Sequence, residues 1–127
     1  MQGSINIHPT ISVTDIERAA KFYGETLDLE TIGEMAEDHV AYQVGENSYL
    51  LVYKRADPPK AENTAASFVV EDVVATVEWL RGRGVVFEEY DMPGLKTENG
   101  IANMGETKGA WFKDPDGNIL AVSNMTS

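Results

Sequence analysis

Between residues 5 and 13 the chain alternates: Ile5, Ile7, Ile11 and Val13 point one way, and Asn6, His8, Thr10 and Ser12 the other. A period of two marks a strand with one apolar and one polar face. Pro9 has no N–H to give to a ladder, so the strand should sit at an edge or carry an irregularity there. The period then changes. Thr14, with Glu17 three residues on, fits a capping box, and Ile16, Ala19, Ala20, Tyr23 and Leu27 recur at helical spacing with Phe22 beside them. That predicts a helix over 15–26. Residues 29–33, 40–44 and 48–54 read as three short strands, broken at Glu37-Asp38 and at Gly45-Glu46-Asn47. In the last of them Tyr49, Leu51 and Tyr53 share one face, and Leu50, Val52 and Lys54 the other.

Residues 55–64 are polar and hold Pro58 and Pro59, a linker by composition. Beyond it the order begins again. An apolar strand over 66–70 leads into Glu71-Asp72, then a helix with Val73, Val77, Leu80 and also Trp79 on its buried stripe, ended by Gly82 and Gly84. Residues 85–89 read as a strand and 90–106 as a long loop. Strands follow at 109–113 and 118–123, joined by the turn Asp114-Pro115-Asp116-Gly117. Val13-Thr14-Asp15-Ile16 and Val70-Glu71-Asp72-Val73 open the two helices 57 residues apart. Neither half is large enough to bury much core alone. Two βαβββ modules of α+β class (one over about 5–54, the other over about 65–124, linked through about 55–64) should therefore form a curved mixed sheet around a cleft, helices on the outer face.

The formal charge of −11 argues against a nucleic-acid partner, which needs a basic surface, and favours cations over anions at long range. The absence of cysteine excludes disulfides, thiolate metal sites and cysteine nucleophiles. No apolar run approaches the ~20 residues of a membrane helix, and residues 1–9 do not read as a signal peptide, so the expectation is a cytoplasmic protein without a membrane partner. A phosphate-binding Gly-rich loop, a dinucleotide fingerprint and HExxH are all missing from the sequence.

Three stretches, HPTISVTDIERAAKFYGETLDL from His8, VVEDVVATVEWLRGRG from Val69 and AWFKDPDGNILAV from Ala110, resemble the vicinal oxygen chelate superfamily of glyoxalases, bleomycin-resistance proteins and extradiol dioxygenases. The resemblance spans nearly the whole chain in the same order. It implies a fold that hosts isomerases, dioxygenases, thiol transferases and metal-free binding proteins, commonly as homodimers.

Metal-dependent members of that family hold a divalent ion with one His, Glu or Gln on the first and last strands of each module. By the resemblance, the first position is His8. The second falls on Leu50 or Leu51, the third on Ala65 or Ala66, and the fourth on Ala121. One ligand of four remains, so we expect no metal and no cofactor, with His8 the only residual ligand. The expected ligand-binding residues are His8, Thr10, Tyr49, Leu51, Tyr53, Tyr90, Met92, Trp111 and Ala121, whose aromatic and apolar groups would hold a small organic ligand in the inter-module cleft. Two rivals stay open. One is an enzyme using His8, as general base or with an unusual metal site; the other is an interaction module without a small ligand. His39, beside Asp38 at a turn, reads as an exposed residue.

Overall fold

The computed structural model describes Gly3 and residues 6–125. Ile5, with which the opening strand was expected to start, lies outside the described residues. The chain divides into two units, Met1–Pro59 and Lys60–Ser127.

In the first unit β1 (Thr10–Val13) is followed by α1 (Ile16–Ala20), which runs on as a π-helical stretch, Lys21–Thr26. Then come β2 (Glu30–Ile32), β3 (His39–Val44) and β4 (Ser48–Lys54). The sheet order is β1-β4-β3-β2, with β1 parallel to β4 and the other pairs antiparallel. The helix starts one residue later than the capping box suggests. Asp15, still extended at φ −144°, is the N-cap and accepts the Arg18 N–H at 3.0 Å. The Thr14 hydroxyl instead accepts from the Arg18 guanidinium at 2.9 Å. Ile16, Ala19 and Tyr23 are buried on the helical side; on the sheet Ile11, Val13, Val40, Tyr42, Leu50 and Val52 are each at 1% exposure or less. The period-two pattern is thus resolved into a helix-covered face and an open face.

The second unit contains β5 (Thr64–Val69), α2 (Val73–Gly82), β6 (Asp91–Met92), β7 (Leu95–Glu98), β8 (Ile101–Met104), β9 (Thr107–Lys113) and β10 (Ile119–Ser123). The order is β5-β10-β9-β8-β7-β6, with β5 parallel to β10. Asp72 caps α2 by accepting the Ala75 N–H at 3.0 Å. Val73, Val77 and Leu80 are its buried residues, and α2 packs on β9 and β10. Trp79 does not join that stripe: it is 46% exposed, with the Arg83 guanidinium over its ring at 4.6 Å.

Two further expectations are corrected here. Residues 85–89 form no strand, only the bridge Phe87↔Phe112. Residues 90–106 are not a loop but hairpins through β6, β7 and β8. The decisive signal is Asn99-Gly100, both at positive φ (53° and 80°), a two-residue turn whose twist suits a hairpin. Gly100 is required there, because a Cβ would stand 2.9 Å from Phe87 Cβ. The Asp114 turn behaves as expected: its carboxylate accepts the N–H groups of Asp116 (2.9 Å) and Asn118 (2.8 Å) and the Asn118 side-chain amide (2.8 Å). Two mixed sheets with helices make this an α+β chain. No helix among the described residues is long and apolar enough to cross a membrane.

Candidate functional site

The parallel ladders of the two units match rung for rung. Thr10, Ile11 and Ser12 stand opposite Leu51, Val52 and Tyr53, and Ser67, Phe68 and Val69 opposite Ala121, Val122 and Ser123. In each, the middle rung faces the helix, so the outer rungs belong to the open face.

On the open face of the first sheet the structure brings together Thr10, Tyr49, Leu51 and Tyr53, as the parity of β4 predicts, with Ala41, Gln43 and His39 paired to them from β3. Tyr49 is 37% exposed, Leu51 and Tyr53 are half-buried, and Thr10 is exposed. His8 precedes β1 rather than lying in it. Its ring stacks on the Tyr49 ring, centroids 3.6 Å apart with 20° between the planes, and its Nδ1 accepts the Tyr49 N–H at 3.2 Å. His39 is exposed and bonded to Asp38 at 2.8 Å. That contact, first as a hydrogen bond and then as charge, holds the Asp38 carboxyl below its ordinary value.

The second sheet places Trp111 and Ala121 side by side on β9 and β10. Ala121 is 5% exposed, so it offers a floor rather than a reaching group. The half-buried Trp111 ring lies over Gly109, where a Cβ would stand 3.4 Å from Trp111 Cη2. Tyr90 meets Trp111 edge-on, centroids 5.6 Å apart at 85°. Burial, and then the Glu88 carboxylate, raise the Tyr90 phenol above its ordinary pKa, with Lys113 opposing. Lys113 pairs with Glu88 at 3.3 Å. Met92 is 51% exposed on β6.

Sequence reasoning missed what holds Tyr90. Thr97 Oγ1 accepts the Tyr90 N–H at 2.8 Å and donates to Glu89 Oε1 at 3.0 Å, and the same carboxylate takes the Gly100 N–H. With the 90–106 segment read as a loop, Thr97 had no strand on which to be a neighbour. A concavity of about 530 Å³ by Thr14, Asp15, Glu17, Glu37 and Lys54 was also unforeseen; it contains none of the expected site residues.

The residues do not fit a divalent ion. The register puts Leu51 on the open face and Leu50 under the helix, so the second family position is a leucine without a lone pair. Ala65, Ala66 and Ala121 offer none either, and the His8 Nδ1 lone pair is engaged by Tyr49. Among the described residues no three His, Asp or Glu side chains converge.

The sequence matches the family described as the glyoxalase/bleomycin resistance protein/dioxygenase superfamily over residues 6–122. Solved structures share the architecture at low identity. UcmS2 superposes with a TM-score of 0.74 at 22% identity, covering 98% of this chain and 100% of that one. A glyoxalase family protein from Enterococcus faecalis gives 0.67 at 20% identity, covering 91% and 94%. A variant of the fosfomycin resistance protein FosX from Listeria monocytogenes, solved with manganese(II) and a dihydroxypropylphosphonic acid, gives 0.68 at 17% identity, covering 98% and 93%. The chain belongs to the glyoxalase/bleomycin resistance protein/dioxygenase superfamily.

Proposed function

We propose that this protein binds a small organic ligand on its open sheet faces without help from a metal ion. The candidate contact residues are His8, Thr10, Tyr49, Leu51 and Tyr53 in the first unit and Tyr90, Met92, Trp111 and Ala121 in the second, each unit taken by itself. The observation that carries the reading is one of substitution. Where metal-dependent relatives place His, Glu or Gln, this chain has Leu51 and alanines, and rings stand exposed or half-exposed beside them. Apolar and aromatic walls desolvate a ligand, and a few polar groups orient it. The net charge of −11 favours neutral or cationic ligands over anions. Fosfomycin resistance proteins among the structural neighbours make small antibiotics a natural first class to offer. We further propose a cytoplasmic homodimer. β5 lies at the edge of its sheet and carries Val69 at 60% exposure, an edge that a second copy would cover.

The test is a thermal-shift screen of aromatic cations, neutral aromatics and antibiotics in the presence of a chelator. A ligand held at one hundred times its Kd stabilises the native state by ~2.7 kcal/mol and raises Tm. Tyr49→Ala and Trp111→Ala should each weaken a hit by ~1–3 kcal/mol. A screen without hits, or hits that appear only when the chelator is left out, would overturn the proposal.

A further inference from the structure

β1 begins at Thr10, and the residue before it explains why. In a parallel pair, alternate residues of one strand direct both backbone groups at the neighbouring strand. Leu51 is such a residue, and its N–H is held by the Pro9 carbonyl at 3.1 Å. Two residues back along β4, Tyr49 faces the same side. There the ladder would need an N–H from Pro9, and proline has none. The pairing stops, and Ile7 stands 93% exposed. The Tyr49 N–H that the ladder no longer holds goes to His8 Nδ1 at 3.2 Å. Ring stacking on Tyr49 fixes the plane of the imidazole, and the hydrogen bond fixes its rotation.

From this geometry we infer that His8 is locked as the tautomer protonated on Nε2, and that it serves as a hydrogen-bond donor to an oxygen of the ligand. A neutral imidazole has one bare nitrogen and one N–H, and a bond to one nitrogen decides the other. Nδ1 accepts from the Tyr49 amide, so Nδ1 is bare and Nε2 carries the proton. Coordination through Nε2 would move that proton to Nδ1 and set two N–H groups against each other. A general base also needs a bare nitrogen, and the only one is already used. What His8 offers is Nε2–H. The residue is half-buried against Tyr49, and its Nε2 has no partner among the described residues. The group that suits it is a carbonyl or amide oxygen on an apolar or aromatic body. This ligand class rests on the binding function proposed above; the tautomer does not.

Nitrogen-15 NMR at a pH where imidazole is neutral tests both parts, with His39→Gln used to assign the two histidines. The expected result is a pyrrole-like Nε2, a pyridine-like Nδ1, and a scalar coupling across the hydrogen bond between Tyr49 N and His8 Nδ1. In His8→Ala the Tyr49 amide should exchange about tenfold faster, as loss of one ordinary hydrogen bond predicts. The Leu51 amide, held by Pro9, should not change, which separates a local loss from unfolding. A proton on Nδ1, or no coupling to Tyr49, overturns the inference. Benzamide and benzylammonium then serve as probes. Benzamide should shift the His8 Nε2–H signal and benzylammonium should not. The reverse order refutes the donor role. Silence from both probes with the tautomer intact refutes the ligand class and counts against the binding function itself.

Discussion

The two units run the same parallel ladder and finish it differently. Three rungs correspond, from Thr10↔Leu51 in the first to Ser67↔Ala121 in the second. Below them the first ladder ends at Pro9, and a histidine side chain takes the orphaned N–H. The second slips its register between Ile119 and Leu120, leaves Ala65 unpaired, and still reaches Thr64↔Ile119. A strand amide left off the ladder turns to another acceptor within reach. Satisfying it with backbone leaves the alanine without a task, whereas satisfying it with imidazole commits a nitrogen that a metal would need. The second contrast lies within each sheet, between a helix-covered side near zero exposure and an open side that keeps its rings accessible.

The largest expected effect would break that second contrast. Leu50 and Leu51 are neighbours on opposite faces, 1% exposed and half-buried. Leu50→Ala should cost ~2–5 kcal/mol in urea unfolding, and Leu51→Ala about 1 kcal/mol. Similar costs would mean that the open face is as much core as the other. The equivalence of the units is sharpened by their helix caps. Asp15→Ala and Asp72→Ala should each cost about 1 kcal/mol, and Thr14→Ala clearly less, because the N-cap of the first helix is Asp15.

Tyr42 marks a flaw on the covered side. Its hydroxyl is buried without a partner among the described residues, and burial raises its pKa. Tyr42→Phe should therefore raise Tm slightly, by the equivalent of about 1 kcal/mol. Smallest of all is the effect at Asp38 on the exposed side. Its carboxyl titrates below 3.8 because His39 bonds to it. A lowered folded-state pKa stabilises above the unfolded value, and that contribution is lost as pH falls through the lowered one. His39→Gln should move the Asp38 titration, followed by NMR, back up towards 3.8.

Much of this was legible in the residues. Alternation in 48–54 separated Leu50 and Val52 from Tyr49, Leu51 and Tyr53, because a strand buried on one side obeys a strict period. Val70-Glu71-Asp72-Val73 echoed Val13-Thr14-Asp15-Ile16 because both open a helix behind a parallel strand. Pro9 announced an irregularity, but not that His8 would repair it, since a side chain filling a ladder position leaves no periodic mark. The hairpins over 91–104 were hidden by polar residues and methionines, although Asn99-Gly100 carried the turn signal. Residues 85–89 alternate like a strand, yet they form a single bridge, Phe87 opposite Phe112. The Thr97–Glu89 clamp on Tyr90 joins residues that meet only after those hairpins form.

The most direct test of the central claim, binding without a metal, is titration of the chelator-stripped protein with manganese, zinc, nickel, cobalt and iron, followed by elemental analysis after desalting. The account predicts no ion retained above the stoichiometry of a His8→Ala variant, and organic ligands bound equally well before and after. One ion per chain, lost in His8→Ala and needed for ligand binding, would contradict it.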